Sequence, residues 1–320
     1  MIIEKIDNIA PPDNAIVKVK ICGNIAEVRY TQRGNQTARI KKIDKNSYVV
    51  LSTGEVREFQ RGKSRLDDKQ SLKESLSRLR DYLNTAVTDI KKARWLTLTY
   101  AEQMSDPERL YNDFKAFNRR CRKRYGHYEF IAANEFQKRG SLHIHAVLVF
   151  DKAAPFMDNK TVSDMWQQGF VNIRKLKNVS DVGRYIGGYI GDAPIGELGQ
   201  FPAGVQAGQI KVVDLKKGRK KSSTAVIKGA RLSLMPPGFN LYRISRGIKP
   251  PTVSLMMNAD ADYMLRDWAL TYQGTYRLAD ESRGLNSVIS TAYYNRLLGL
   301  KEKALFEKLK READKIREGV

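Results

Sequence analysis

The stretch from Asn134 to Phe150 restricts what this chain can fold into more than any other. It holds two of only three histidines, His143 and His145, spaced i, i+2 within an apolar, β-branched run. On an extended strand both imidazoles point to one face, while Leu142, Ile144 and Ala146 point to the other. The preceding run, His127 to Gln137, is also extended in character, and Lys138-Arg139-Gly140 makes a short turn with its glycine where a positive φ is usually needed. The spacing predicts a hairpin closed by Gln137 opposite Ser141, with Phe136 facing Leu142 and Glu135 facing His143. Two imidazoles and one carboxylate then converge on one side of a sheet. Such an open facial set suits a divalent ion, Mn²⁺ or Mg²⁺, with coordination positions left for water or phosphate. Histidines that merely line a polar sheet face are the competing explanation, and the carboxylate in register favours the metal.

The chain has 320 residues, enough for a catalytic domain with two appendages. Lys and Arg number 57 against 35 Asp and Glu, a formal net charge of +22 that favours a polyanionic partner, nucleic acid before an anionic membrane surface. No apolar run approaches the roughly 18 to 20 residues that span a bilayer, and Met1 to Lys5 lacks a signal-peptide pattern, so a cytoplasmic location is expected. Cys22 and Cys121 are isolated in sequence, which indicates neither a disulfide framework nor a cysteine zinc site.

Residues 1–65 read as a small β-rich module of short alternating segments: Ala15 to Ile21, Ala26 to Tyr30, Ala38 to Ile43, Tyr48 to Leu51 and Glu55 to Phe59. Its basic residues fit either a DNA-contacting face or solvated strand edges, with the second favoured. From Asp67 or Asp68, apolar residues recur at three- and four-residue steps through Leu72, Leu76, Leu79, Leu83, Val87 and Ile90, which predicts a long amphipathic helix. A strand follows, Arg94 to Tyr100, with Trp95, Thr97 and Thr99 on one face. A second helix starts near Pro107 with Leu110, Phe114, Phe117 and Cys121 inward, and its basic end, Arg119 to Arg124, suits a solvated face and the helix dipole. After the hairpin come a helix from Asn159 to Gln168, a strand from Phe170 to Leu176, and the segment Val179 to Asp192. Capped by Ser180 or Asp181, that segment sets Tyr185 and Tyr189 on one helical face about 6 Å apart along the axis. Gly187, Gly188 and Gly191 each weaken a helix by roughly 1 kcal/mol relative to alanine, so this segment needs support from outside itself. A YxxxY pair by itself also fits packing tyrosines. Residues 193–225, ending in Lys216 to Lys221, read as an exposed basic loop or insertion, and Leu241 to Pro250 as a strand closing the layer. Residues 251–320 read as a mixed, largely helical region: an aromatic stretch, Tyr263 to Tyr276, then a terminal helix. There is no GxxxxGK[ST] loop, which argues against a fused helicase motor.

Taken in order, the hydrophobic-Thr-Leu-Thr strand (Trp95 to Tyr100), the His-hydrophobic-His strand (His143 to His145) and the two-tyrosine segment (Tyr185, Tyr189) form a three-part signature. It resembles the HUH endonucleases, specifically the two-tyrosine rolling-circle replication initiators of single-stranded DNA phages, plasmids and integrative elements. The likeness covers Arg94 to Asp192 and extends more weakly to Pro250, through Pro236-Pro237-Gly238 and Ser245-Arg246-Gly247. It implies an α+β catalytic domain, residues 66–250, in which a central antiparallel sheet carries packed helices in an HUH/RRM-like arrangement, with the tyrosine helix over the metal face. By the same likeness Glu135, His143 and His145 are the metal ligands, Tyr185 and Tyr189 the alternating nucleophiles, and Mg²⁺ or Mn²⁺ the cofactor. The implied reaction is nicking of single-stranded DNA at a replication origin through a 5′-phosphotyrosine, with a free 3′-OH left to prime synthesis by a host helicase and polymerase. The chain departs from the family in one respect. Members often carry a lysine three residues after a catalytic tyrosine, where this chain has Gly188 and Asp192; Arg184, Lys175 and Lys177 are the nearest cations in sequence. Together with Lys138 and Arg139 they are the expected DNA contacts. The alternatives are a relaxase or single-strand transposase of the same chemistry, or a non-catalytic nucleic-acid-binding protein with structural histidines.

Overall fold

The computed structural model describes residues 2–33, 40–60, 67, 69–137, 140–177, 179–187, 193–194, 210–217, 220–227, 235–236, 238–280 and 285–317. At Tyr185, in the segments 193–227 and in the last turns of the C-terminal helix, the description is of the backbone. The chain divides into two units, Arg61–Pro250 and a second one built from Met1–Gln60 with Pro251–Val320.

The N-terminal segment supplies β1 (Ile2–Ile6), β2 (Ile16–Cys22), β3 (Ile25–Thr31), β4 (Ile40–Lys42), β5 (Ser47–Val50) and β6 (Val56–Glu58). The middle of the chain runs α1 (Lys69–Ala86), β7 (Ala93–Thr99), α2 (Pro107–Tyr125), β8 (Glu129–Phe136), β9 (Leu142–Val149), α3 (Asn159–Trp166), β10 (Val171–Arg174) and α4 (Val182–Gly187). It continues through β11 (Ala193–Pro194), β12 (Ile210–Lys217), β13 (Lys220–Ile227) and β14 (Tyr242–Ile244). The C-terminal segment adds β15 (Thr252–Met257), α5 (Asn258–Leu265), β16 (Ala269–Asp280), β17 (Leu285–Asn295) and α6 (Arg296–Arg317). The fold is α+β, with antiparallel sheets throughout the described pairings.

The middle unit is organised on a five-stranded antiparallel sheet in the order β10-β7-β9-β8-β14. Strand alternation explains its two buried faces. Leu96, Leu98, Ile144, Leu148 and Ala132 point to one side, where they meet Leu110, Phe114, Phe117 and Cys121 of α2 and Val162 and Trp166 of α3. Trp95, Ile131, Ala133 and Val147 point to the other, where they meet Leu79 and Leu83 of α1, the following Val87, and Val182 and Ile186 of α4. Each large aliphatic buried this way contributes about 1.5–3 kcal/mol. Helix α2 begins as expected, with Asp106 Oδ1 accepting the Glu108 backbone N–H at 2.8 Å and Pro107 in the first turn. Its basic end is partly structural: Arg120 donates to the Met165 carbonyl and Arg122 to the Tyr128 carbonyl. Burial pushes the Cys121 thiol up to about 12. The thiolate is the reactive form. In the folded protein Cys121 is therefore expected to resist a thiol reagent such as DTNB at pH 8 and to react promptly once denaturant is added.

Two expectations are revised. Residues 210–227, read as a basic loop, form a hairpin in which Lys216 faces Lys221 and Lys217 faces Lys220. The alternation Ile210, Val212 against Thr224, Val226 carries the strand signal, and the lysine-rich composition hides it. The flanks read as a separate N-terminal module and a largely helical C-terminal region instead share one six-stranded sheet, β1-β16-β17-β3-β2-β15. Two of its strands, β16 and β17, take up much of the C-terminal segment, including the latter half of the aromatic stretch. The short strands β4, β5 and β6 form a sheet of their own.

Candidate metal centre and tyrosine helix

The hairpin closes in the expected register. Gln137 N–H donates to Ser141 O at 2.8 Å, Gly140 N–H to Gln137 O at 2.9 Å, and Gly140 sits at φ 76°. Phe136 then pairs with Leu142, and Glu135 with His143. Because β8, β9 and β7 lie side by side, Glu135, His143, His145 and Thr97 emerge on one face.

There the side chains converge. Glu135 Oε2 lies 3.1 Å from His145 Nε2 and 3.2 Å from His143 Nε2, and the two Nε2 atoms are 2.9 Å apart. Donor atoms on adjacent vertices of an octahedron around an ion at about 2.1 Å are themselves about 3 Å apart. The observed edges thus match a facial set of two imidazoles and one carboxylate around one divalent ion. These three are the candidate metal-holding group among the described residues. Glu135 is fully buried and His145 retains 13% side-chain exposure, so the face opens to solvent on the His145 side. Burial alone would raise the Glu135 carboxyl, but the hydrogen bonds and charges of His143 and His145 outweigh it and hold the group well below the usual carboxylate range. It is ionised, as a ligand must be. Thr97 Oγ1 lies 3.2 Å from His145 Nδ1, and a hydrogen bond there orients the ring and leaves Nε2 toward the centre. Trp95 flanks the same imidazole at 6.0 Å between ring centroids. The third histidine is apart: His127 pairs with Glu129 at 3.1 Å on an exposed turn.

Helix α4, which carries Tyr185, lies on this face of the sheet through Val182 and Ile186. It is the short, glycine-rich segment that needs outside support, and α1 supplies it. Asp181 Oδ1 accepts the Arg184 N–H at 2.8 Å, the N-cap expected from sequence. Asn84 of α1, 5% exposed, binds this first turn twice: its Oδ1 accepts the Gly183 N–H at 2.7 Å and its Nδ2 donates to Asp181 Oδ1 at 2.9 Å. Gly183 is where the two helices approach closest, since a Cβ there would stand 2.4 Å from the Arg80 carbonyl oxygen. Asn84 and Thr97 are the site residues that sequence reasoning missed. A polar residue flanking the Leu79, Leu83, Val87 stripe was the available signal for Asn84, and the face shared with His145 was the signal for Thr97. Asn84→Leu keeps the volume but strands two hydrogen-bonding groups, and the expected loss is about 1–3 kcal/mol per buried unsatisfied group, read as a lowered midpoint in urea unfolding.

Of the expected DNA-contacting residues, Lys175, Lys177 and Arg184 are exposed. Lys138, Arg139 and Tyr189 lie outside the described residues, and of Tyr185 only the backbone is described. Other tyrosines of this unit are placed against catalysis. Tyr100 and Tyr128 are buried on the opposite side of the sheet, where burial pushes both phenols far above their ordinary range; Tyr100 also donates to Asp113 Oδ2 at 2.9 Å. Downstream, β14 closes the sheet edge against β8, and Ser245 continues the pairing by exchanging hydrogen bonds with the Phe130 backbone.

The class defined by fold and site is an antiparallel α+β unit with a buried two-histidine, one-carboxylate cluster on its sheet. Residues 93–193, about a third of the chain, match the family model of the replication-associated protein ORF2. That stretch runs from the first residue of β7 to β11, and includes Glu135, His143, His145, Tyr185 and Tyr189. No curated protein and no solved structure matches the chain. Among the described residues, no helix is long and apolar enough to cross a membrane.

Proposed function

We propose that the chain initiates DNA replication by nicking and rejoining single-stranded DNA at an origin, with tyrosine as the nucleophile. The observation that carries this reading is the Glu135, His143, His145 cluster, with its 2.9–3.2 Å edges, on the sheet face that the Tyr185 helix covers. The match of residues 93–193 to the replication-associated family supports the biological setting. The net charge of +22 supports a polyanionic substrate.

Glu135, His143 and His145 would hold one divalent ion, Mg²⁺ or Mn²⁺. Bound there, such an ion supplies Lewis-acid polarisation of a phosphodiester. The chain's own residues do the rest. Thr97 orients His145, and Asn84 with Asp181 fixes the start of the helix that carries Tyr185. The phenolic oxygen of Tyr185 or Tyr189 bonds to phosphorus as the P–O3′ bond breaks. The phenol's proton leaves to solvent, the 3′ oxygen takes one up, and the product is a 5′-phosphotyrosyl enzyme with a free 3′-OH. An unperturbed tyrosine has a pKa near 10, so attack at neutral pH depends on this activation. The phosphotyrosyl bond conserves the energy of the broken one, which lets the second tyrosine act on the regenerated origin and release the first strand as a circle. Lys175, Lys177 and Arg184, with Lys138 and Arg139, serve as phosphate contacts in place of the lysine that follows the tyrosine in many family members.

The test uses labelled single-stranded oligonucleotides tiled across the DNA adjoining the gene, incubated with the full chain and Mn²⁺. One oligonucleotide is expected to be cleaved and to leave a covalent protein–DNA band in a denaturing gel; EDTA abolishes both. Binding without cleavage on every oligonucleotide would instead point to a non-catalytic nucleic-acid-binding protein with structural histidines.

A further inference from the structure

The six-stranded sheet of the second unit has two unlike faces. Val17, Val19, Ala26 and Val28 pack on one side beneath Ala261 and Leu265 of α5. Residues of the opposite parity form the other face, and their pairings place Tyr272 beside Tyr293, Tyr276 beside Lys5, and Thr291 beside Arg29, which neighbours Lys18. Lys5, Lys18, Arg29 and Tyr272 are exposed, and Tyr276 and Tyr293 are half-buried. The tyrosines form a connected group: the Tyr272 and Tyr293 ring centroids are 6.0 Å apart, and the Tyr272 and Tyr276 hydroxyls are 3.3 Å apart.

Gly274 explains how Tyr272 lies. A Cβ at that position would stand 2.4 Å from the Tyr272 hydroxyl oxygen and 3.0 Å from Cζ, so the ring leans along its own strand over bare backbone. A tyrosine that lies down on a sheet turns the flat side of its ring outward, whereas one that stands up presents an edge. Charge on this face is one-sided. Glu27 is held by Lys20 at 2.6 Å, and Asp280 is buried at the far end, which leaves cations exposed beside the aromatic group.

We propose that this tyrosine and cation face binds single-stranded DNA, with bases stacked on Tyr272 and its neighbours and phosphates drawn to Lys5, Lys18 and Arg29. Flat aromatic rings beside exposed cations on an open sheet are what an unpaired strand needs: every base has a π-face, and every linkage carries a charge. A duplex keeps its base faces covered, so the rings discriminate against it. The proposal rests on reading the chain as acting on single-stranded DNA, and it gives the second unit the task of holding strand that the nicking unit does not grip.

The experiment is fluorescence anisotropy of the full chain with a labelled oligothymidylate of roughly twenty nucleotides, long enough to cover one such face. Tyr272→Ala/Tyr293→Ala is expected to weaken binding about tenfold or more, and Tyr272→Phe/Tyr293→Phe to hold it within about twofold, because stacking needs the ring and not the hydroxyl. Lys18→Glu/Arg29→Glu, at exposed positions that leave the core intact, is expected to weaken binding and flatten its dependence on salt. Competition by unlabelled duplex of equal length should be weak. Unchanged affinity in both the alanine and the charge-reversed variants would overturn the proposal, as would equal loss in the phenylalanine variant or equal competition by duplex. Covalent adduct on a short nicked oligonucleotide, measured in parallel, reports on the other unit, so failure of nicking and failure of this face are told apart.

Discussion

Glu135→Ala is expected to abolish nicking while salt-sensitive binding to single-stranded DNA survives. Removing it takes away the one anionic ligand of the cluster and leaves His143 and His145 with their Nε2 atoms 2.9 Å apart and no carboxylate between them. Lewis-acid stabilisation of a phosphoryl transition state is worth several kcal/mol, which corresponds to about a thousandfold or more in rate. Binding rests on Lys and Arg contacts to phosphates and is expected to change little. The measurements are single-turnover cleavage with Mn²⁺ and anisotropy over a salt series on the same protein. Equal loss of cleavage and binding would mean that the cluster is structural. Metal titration supplies a second readout, since Mn²⁺ should raise the unfolding midpoint of the wild type and not of Glu135→Ala. The pH dependence of the metal-free chain follows from the lowered Glu135 carboxyl. A group lowered in the folded state stabilises above its unfolded value and loses that contribution as pH falls, so the loss should set in below the ordinary value of 4.5 and be smaller in Glu135→Ala.

Tyr185→Phe/Tyr189→Phe is expected to eliminate the covalent protein–DNA band altogether, with metal binding and the unfolding midpoint retained. Phenylalanine keeps the ring and removes only the oxygen that attacks. Each single variant should still form an adduct in one round and fail to release a closed circle, because termination needs the second phenol. Tyr82→Phe and Tyr242→Phe are the informative controls. Their rings lie 6.3 Å apart, and both pack with the cluster on the metal side of the sheet, so they are the described tyrosines best placed to substitute. Adduct that persists in the double variant and disappears in Tyr242→Phe or Tyr82→Phe would move the nucleophile to that residue.

These two experiments address different degrees of sequence legibility. The metal cluster is local: a two-residue side-chain period and a three-residue turn bring Glu135 opposite His143, and Gly140 permits the turn. The tyrosine helix is not. Its spacing can be read, but six residues with glycine at Gly183 and Gly187 do not hold a helix by themselves. What holds it is Asn84, ninety-seven positions away in sequence from Asp181.

The hairpin and its register, the two amphipathic helices α1 and α2, and the alternating strands of both flanks were legible in the amino-acid order, because each depends on side-chain periods and turn chemistry within a few residues. Two features required the folded chain. Val182 and Ile186 settle α4 onto the sheet face of the cluster, and Ile2–Ile6 pairs with Ala269–Asp280 so that both ends of the chain share one sheet. Strand edges are satisfied by any partner of suitable geometry, and a period of two carries no information about which distant strand that partner is.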